Sequence, residues 1–181
     1  TVRADAQTAI YNRKTPIASF YANLQFFKGY AEKEYLPYTT SAGDVAALDA
    51  ALDNILEEGI ETVYARHDRI ASSVREAAQA YGLDLFLDSD RSNTVTAIRI
   101  PEEIGALRLQ DHLSENYNLL VATSLAQYAD VILRIGHMGE NAFIDKLIYV
   151  LSIIDNGLRD LGFAGNGDLA QLFIDIYKEN N

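Results

Sequence analysis

No cysteine occurs among the 181 residues of the chain. That excludes disulfides, thiolate nucleophiles and cysteine-rich zinc sites, and it fits a reducing compartment. Basic residues are scarce as well: 15 Lys and Arg face 26 Asp and Glu, for a net charge of −11. So acidic a chain is repelled at long range by nucleic acid and by anionic membranes, and neither is expected as a partner. Long apolar runs are missing, and none approaches the ~20 residues that cross a bilayer. The first residues, TVRADAQTAI, lack the basic start and apolar core of a signal peptide, which leaves the cytoplasm as the expected location. What is present is an ordinary globular composition, 49% apolar, sufficient for one domain and a piece of another. The opening dozen residues show neither a strand pattern nor a clean helix start, so the chain is expected to be a fragment of something longer.

Hydrophobic spacing organises the rest. Within PIASFYANLQFFKGYAEKE (16–34), Phe20, Leu24 and Phe27 recur at three- and four-residue intervals, which predicts a short aromatic-faced helix. Pro37 and the hydroxyls of Thr39, Thr40 and Ser41 interrupt it and offer caps for a new helix. From Asp44 to Tyr81 a single apolar stripe, Leu48, Leu52, Ile55 and on to Val74, predicts helix throughout. Gly59 costs about 1 kcal/mol in its middle and marks a bend; Gly82 is a left-handed cap. Strands are predicted at 83–87 (LDLFL), 94–100 (TVTAIRI), 118–123 (NLLVAT) and 131–135 (VILRI), and helices at 105–117 and 140–162. DLAQLFIDIYKEN forms a last short helix. The sum is an α+β layer of three or four short strands covered by helices, preceded by a helical lead-in.

Motifs with intrinsic chemistry are few. There is no nucleophile elbow, P-loop or dinucleotide fingerprint, and GFAGNG follows a helix rather than a strand. His67, His112 and His137 are dispersed, without the i, i+4 spacing of a helical zinc site, so no metal ligands are assigned. His67 and His112 read as solvated helix positions. RIGHMGE (134–140) stands apart, because a fixed positive charge and two glycines end an aliphatic strand. A guanidinium presents a planar fork that matches a carboxylate with two parallel bonds. Arg134 is therefore either a carboxylate clamp beside a Gly-x-x-Gly turn or an ordinary surface arginine.

ILRIGHMGE, with TVTAIRIPEE upstream, the long helix LDAALDNILEEGIETVYARHDRIASSVREAAQAYGLDLF and the lead-in KTPIASFYANL…YLPYTT, resembles the C-terminal half of class V aminotransferases of the alanine-glyoxylate and serine-pyruvate type. The resemblance runs in matching order over roughly residues 8 to 163. It implies the small C-terminal domain of the type I aminotransferase fold, a short, mostly antiparallel sheet covered by helices, with the last helical part of the large domain. Residues 1–58 would end the large domain and include the interdomain helix, 59–165 would form the small domain, and 166–181 a C-terminal tail. It further implies pyridoxal 5'-phosphate as cofactor, Arg134 as the group that binds the substrate α-carboxylate, and Thr39 as a donor to the cofactor phosphate of the neighbouring subunit in a homodimer. The family commonly has a tyrosine three residues before that threonine; Leu36 stands there, flanked by Tyr35 and Tyr38, of which Tyr38 is favoured. The loop 122–130 (ATSLAQYAD) is also bulkier than the glycine-rich loop of many relatives.

The resemblance places the Schiff-base lysine, the aspartate on the pyridine nitrogen and the aromatic that stacks on the ring in an N-terminal half. None of Lys14, Lys28, Lys33, Lys146 and Lys178 sits in the family's lysine motif, so no catalytic residue is expected here and the chain alone is expected to be inactive. The implied substrates are a small amino acid, alanine or serine, and a 2-oxo acid, glyoxylate or pyruvate. Two other expectations are compatible with the residues: a non-catalytic α+β module presenting Phe20, Tyr21, Phe26 and Phe27 to a partner, and another class V member such as a pyridoxamine-pyruvate or ureidoglycine aminotransferase.

Overall fold

Side chains of an extended strand alternate between two faces, and the burial along β1 (Val95–Arg99) and β3 (Ile132–Gly136) follows that alternation at the residues that matter most. In the computed structural model, which describes residues 2–180, these strands pair antiparallel with Val95 opposite Gly136 and Arg99 opposite Ile132. The two-residue β2 (Ala122–Thr123) pairs antiparallel with the other edge of β3, so the order is β1-β3-β2. Leu133 and Ile135 of β3 and Ile98 of β1 turn inward. They share one core with Ile70, Val74 and Tyr81 of α3 (Ile60–Tyr81) and with Leu147, Leu151 and Ile154 of α5 (Ile144–Asp160). Each such side chain, fully buried, contributes roughly 1.5–3 kcal/mol.

The chain falls into two compact units, one ending at Asn54 and the other starting at Ile55. The second holds the whole sheet, α3 and α5, together with α4 (Ala106–Tyr117) and α6 (Leu169–Glu179). Leu109 and Leu113 of the amphipathic α4 are fully buried against α5, where Gly157 allows close approach: a Cβ there would stand 2.5 Å from Leu113 Cδ2. α6 buries Phe173 completely, and Arg69 of α3 donates to the carbonyl of Tyr177 at 2.6 Å while lying over its ring. The first unit contains α1 (Ala4–Tyr11), a single 3-10 turn at Leu24–Phe27, and most of α2 (Ala42–Glu58). No residue of α1 or α2 is buried, and Val45, Leu48 and Leu52 present their apolar stripe at the surface. Among the described residues no helix is long and apolar enough to cross a membrane.

Several local expectations are corrected. The predicted helix over 16–34 is irregular apart from the 3-10 turn, because its aromatic side chains gather around one ring instead of lining a helix: Phe20, Tyr21, Phe26 and Phe27 lie 5.3, 5.1, 6.5 and 5.6 Å from the Tyr38 centroid. The predicted strand 83–87 reduces to one bridge, Leu85 opposite Ile98, since the backbone turns away after bonding Ala97 and Arg99. The helix predicted over 140–162 begins at Ile144, after a short 3-10 turn at Gly139–Asn141. The long helix does break at Gly59, whose φ of 84° is a left-handed value that a side chain would resist.

Asp155 of α5 is 3% exposed and joins three helices. The Tyr81 hydroxyl and Arg159 Nε both donate to its Oδ1 at 2.6 Å, and the Leu169 N–H at the start of α6 donates to Oδ2 at 3.0 Å. Burial pushes this carboxyl up, and the donors outweigh it, holding the group below the usual carboxylate range. Burial, with the carboxylate beside it, pushes the Tyr81 hydroxyl up to about 12. Asp155→Ala, which leaves the buried Tyr81 hydroxyl and the Leu169 N–H without their acceptor, is expected to lower the unfolding free energy in urea by about 2–4 kcal/mol. Because the folded pKa lies below the unfolded one, the charge contribution is complete above about pH 4 and fades as pH falls further. The stability gap between wild type and Asp155→Asn should shrink across that acid range.

Candidate functional site

Arg134 lies on the central strand, one position out of phase with its core-facing neighbours Leu133 and Ile135, and its side chain is exposed. The residues opposite it on the two flanking strands are both alanines, Ala97 on β1 and Ala122 on β2, which leave room for a guanidinium over the sheet. Nε donates to the Thr123 carbonyl at 2.9 Å. That bond orients one edge of the fork and leaves the two terminal nitrogens, whose parallel N–H bonds match a carboxylate. Among the described residues no carboxylate lies within ion-pair distance of Arg134. It lines a cavity of about 420 Å³ together with Leu120, Gly136, Met138, Asn141 and Lys146, where the chain before β2 runs apart from β3.

The turn after β3 is held by groups that sequence spacing did not single out. His137 is fully buried, with Nε2 2.8 Å from Thr96 Oγ1 and its backbone N–H on the Thr94 carbonyl at 2.9 Å; Nδ1 has no partner. Burial pushes its pKa down to about 4, so the ring is neutral at pH 7. From α3, Arg66 donates through Nη1 to the carbonyls of Ala142 at 2.9 Å and Gly139 at 3.3 Å, and stacks over Phe143 at 4.1 Å. Its Nε and Nη2 grip Glu58 at 2.6 and 2.8 Å, and this pairing holds the Glu58 carboxyl below the usual range. His67 Nδ1 faces the Val63 carbonyl at 2.7 Å, and Nε2 accepts from the Gly139 N–H at 3.1 Å. The expectation of a solvated His67 is thus corrected: it is half-buried and bonded at both nitrogens. The expectation of a solvated His112 is corrected likewise: it is half-buried, with Nε2 on the Asp160 carboxylate at 3.0 Å and Nδ1 3.1 Å from the Asn116 amide nitrogen.

Thr39 and Tyr38 belong to the first unit. Thr39 is exposed, whereas Tyr38 is half-buried at the centre of the aromatic cluster and donates its hydroxyl proton to the Phe20 carbonyl. Tyr35, the other flanking tyrosine, is 64% exposed.

Comparison with known proteins defines the class. No protein-family model matches the sequence. The fold of residues along 96% of the chain superposes on the ureidoglycine-glyoxylate aminotransferase of Bacillus subtilis with a TM-score of 0.88 and 28% identity, covering 46% of that protein. The fold is therefore that of part of an aminotransferase. In sequence, the chain is 37% identical over 164 residues to an uncharacterised aminotransferase of Methanocaldococcus jannaschii, spanning 90% of this chain and 42% of that one. It is 40% identical over 136 residues to the L-aspartate–glyoxylate aminotransferase of Paracoccus denitrificans, spanning 74% of this chain and 34% of that one. The chain belongs to the class V aminotransferases, and it spans less than half the length of the relatives it matches.

The buried histidine makes a pH prediction. An unfolded chain binds a proton on His137 near pH 6.5, while the folded chain does not until about pH 4, so stability falls as pH drops through that window. Urea titrations should show wild type losing about 2 kcal/mol more than His137→Gln between pH 7.5 and 5.

Proposed function

We propose that this chain is the C-terminal part of an aminotransferase that moves an amino group between a small amino acid, alanine or serine, and a 2-oxo acid, glyoxylate or pyruvate. One observation carries this reading: Arg134 presents the free end of its guanidinium fork beside a cavity, with its orientation set by the Thr123 carbonyl. The α-carboxylate shared by all these substrates is the group such a fork binds, and fixing it aims the Cα–H bond at whatever base removes the proton. That base lies outside this chain in the reading proposed here, since no lysine of the sequence stands in the family's lysine motif. In this proposal residues 1–58 finish the large domain, 59–165 form the small domain, and 166–181 are a tail that carries α6.

The cofactor of this proposal is pyridoxal 5'-phosphate, which when bound supplies the electron sink for the exchange. The exposed hydroxyl of Thr39 fits the role of donor to its phosphate. The Tyr38 hydroxyl donates a hydrogen bond to the Phe20 carbonyl, so donation from Tyr38 to the phosphate requires that bond to break. The N-terminal half and a second subunit complete the site in this reading, and the apolar stripe of Val45, Leu48 and Leu52 is surface for that half to cover. A homodimer in the cytoplasm belongs to the same proposal.

The rival reading is a non-catalytic module that presents the exposed Phe20, Tyr21 and Phe26 to a partner. Kinetics on the complete enzyme separate the two. Arg134→Gln should weaken binding of 2-oxo acids by about 2 to 4 kcal/mol, and Arg134→Lys should not restore it, because one ammonium cannot reproduce two parallel bonds. Unchanged KM values in both variants would remove Arg134 from the substrate site.

A further inference from the structure

We infer that Arg66 and His67, although they stand on a helix outside the cavity, are positioning residues for the substrate, acting through the segment 139–142. The inference rests on the reading of Arg134 as the carboxylate site. On one side the cavity is bounded by Met138 and Asn141, from the short segment between β3 and α5, and past His137 that segment has little core of its own, Ala142 being the one fully buried residue of 138–143. Four contacts from two consecutive residues of α3 hold it instead. Arg66 takes the carbonyls at both of its ends, Gly139 and Ala142, His67 takes the Gly139 N–H, and the Phe143 ring lies under the Arg66 guanidinium. A backbone shift of Gly139 or Ala142 relative to α3 breaks at least one of these bonds and carries Met138 and Asn141 with it.

Glu58 separates this role from mere stability. It neutralises Arg66 through two bonds on the far side of the guanidinium and touches neither the turn nor the cavity. Arg66→Met removes the ion pair and the turn contacts together, whereas Glu58→Gln weakens the ion pair and leaves the turn contacts in place. His67→Phe keeps the ring volume and removes only the acceptor for Gly139, which provides an independent variant should Arg66→Met fail to fold.

The test is steady-state kinetics of the complete enzyme with glyoxylate and pyruvate, with thermal midpoints measured alongside. Arg66→Met and His67→Phe are expected to raise KM for both oxo acids roughly tenfold while kcat changes less than about threefold, and Glu58→Gln is expected to leave KM within about twofold of wild type. Arg66→Lys, which keeps one carbonyl bond, should raise KM less than Arg66→Met does. If Glu58→Gln raises KM as much as Arg66→Met, or if both clamp variants leave KM within twofold, the positioning role is overturned. Arg134→Gln in the same assay keeps the two proposals apart: a large effect there with none from the clamp variants sinks only the inference, and no effect from Arg134→Gln sinks the carboxylate site itself.

Discussion

The period of two along a central β-strand is the constraint on which the rest depends. β3 is hydrogen-bonded on both edges, so it cannot slip by one residue without turning Leu133 and Ile135 out of the core and Arg134 into it. Burying an unpaired guanidinium costs far more than the sheet gains, and so the register is locked by the same alternation that presents the arginine. The alanines opposite it on both neighbours leave the space in which it lies. Core stability and ligand presentation are therefore one requirement at this strand.

Around that strand, buried polar groups do the fastening that apolar packing leaves unspecified. Asp155 gathers a tyrosine from α3, an arginine from its own helix and the first free N–H of α6, which fixes where the last helix docks. Arg66 does the corresponding work at the opposite end of the fold, spending every face of its guanidinium on Glu58, two carbonyls and an aromatic ring. Both devices join segments far apart in sequence. Apolar contact alone would tolerate small shifts of either segment, whereas directional bonds from a planar or bidentate group do not.

Much of the fold was legible in the residues. The helices α2 to α6 follow from 3.6-residue periodicity, the break at Gly59 and the cap at Gly82 from glycine's access to positive φ, and β1 and β3 from runs of β-branched and aliphatic residues. The failures have a common cause. The spacing of Phe20, Leu24 and Phe27 matches a helix, yet rings that stack on Tyr38 gain more from one another than from a helical face, and periodicity does not register that competition. LDLFL has strand character but finds only one bridge, because pairing depends on what the partner offers at that edge.

Of the candidate site, Arg134 was visible because a charge and glycines at the end of an aliphatic run break the local pattern. Arg66 and His67 were not, since a charged stretch on a helix looks the same whether its side chains reach water or a turn more than seventy residues away. His137 gave no sign of complete burial either, since the burial of a turn residue depends on what packs over it from elsewhere in the chain. The sequence by itself determined the helices from α2 to α6, the strands β1 and β3 and which face of each packs inward in the second unit, because those properties arise between residues a few positions apart. Which polar side chains meet, and that the turn beside the cavity hangs from α3, was decided only by the tertiary structure, because hydrogen-bond partners are selected by distance and angle in space rather than by spacing along the chain.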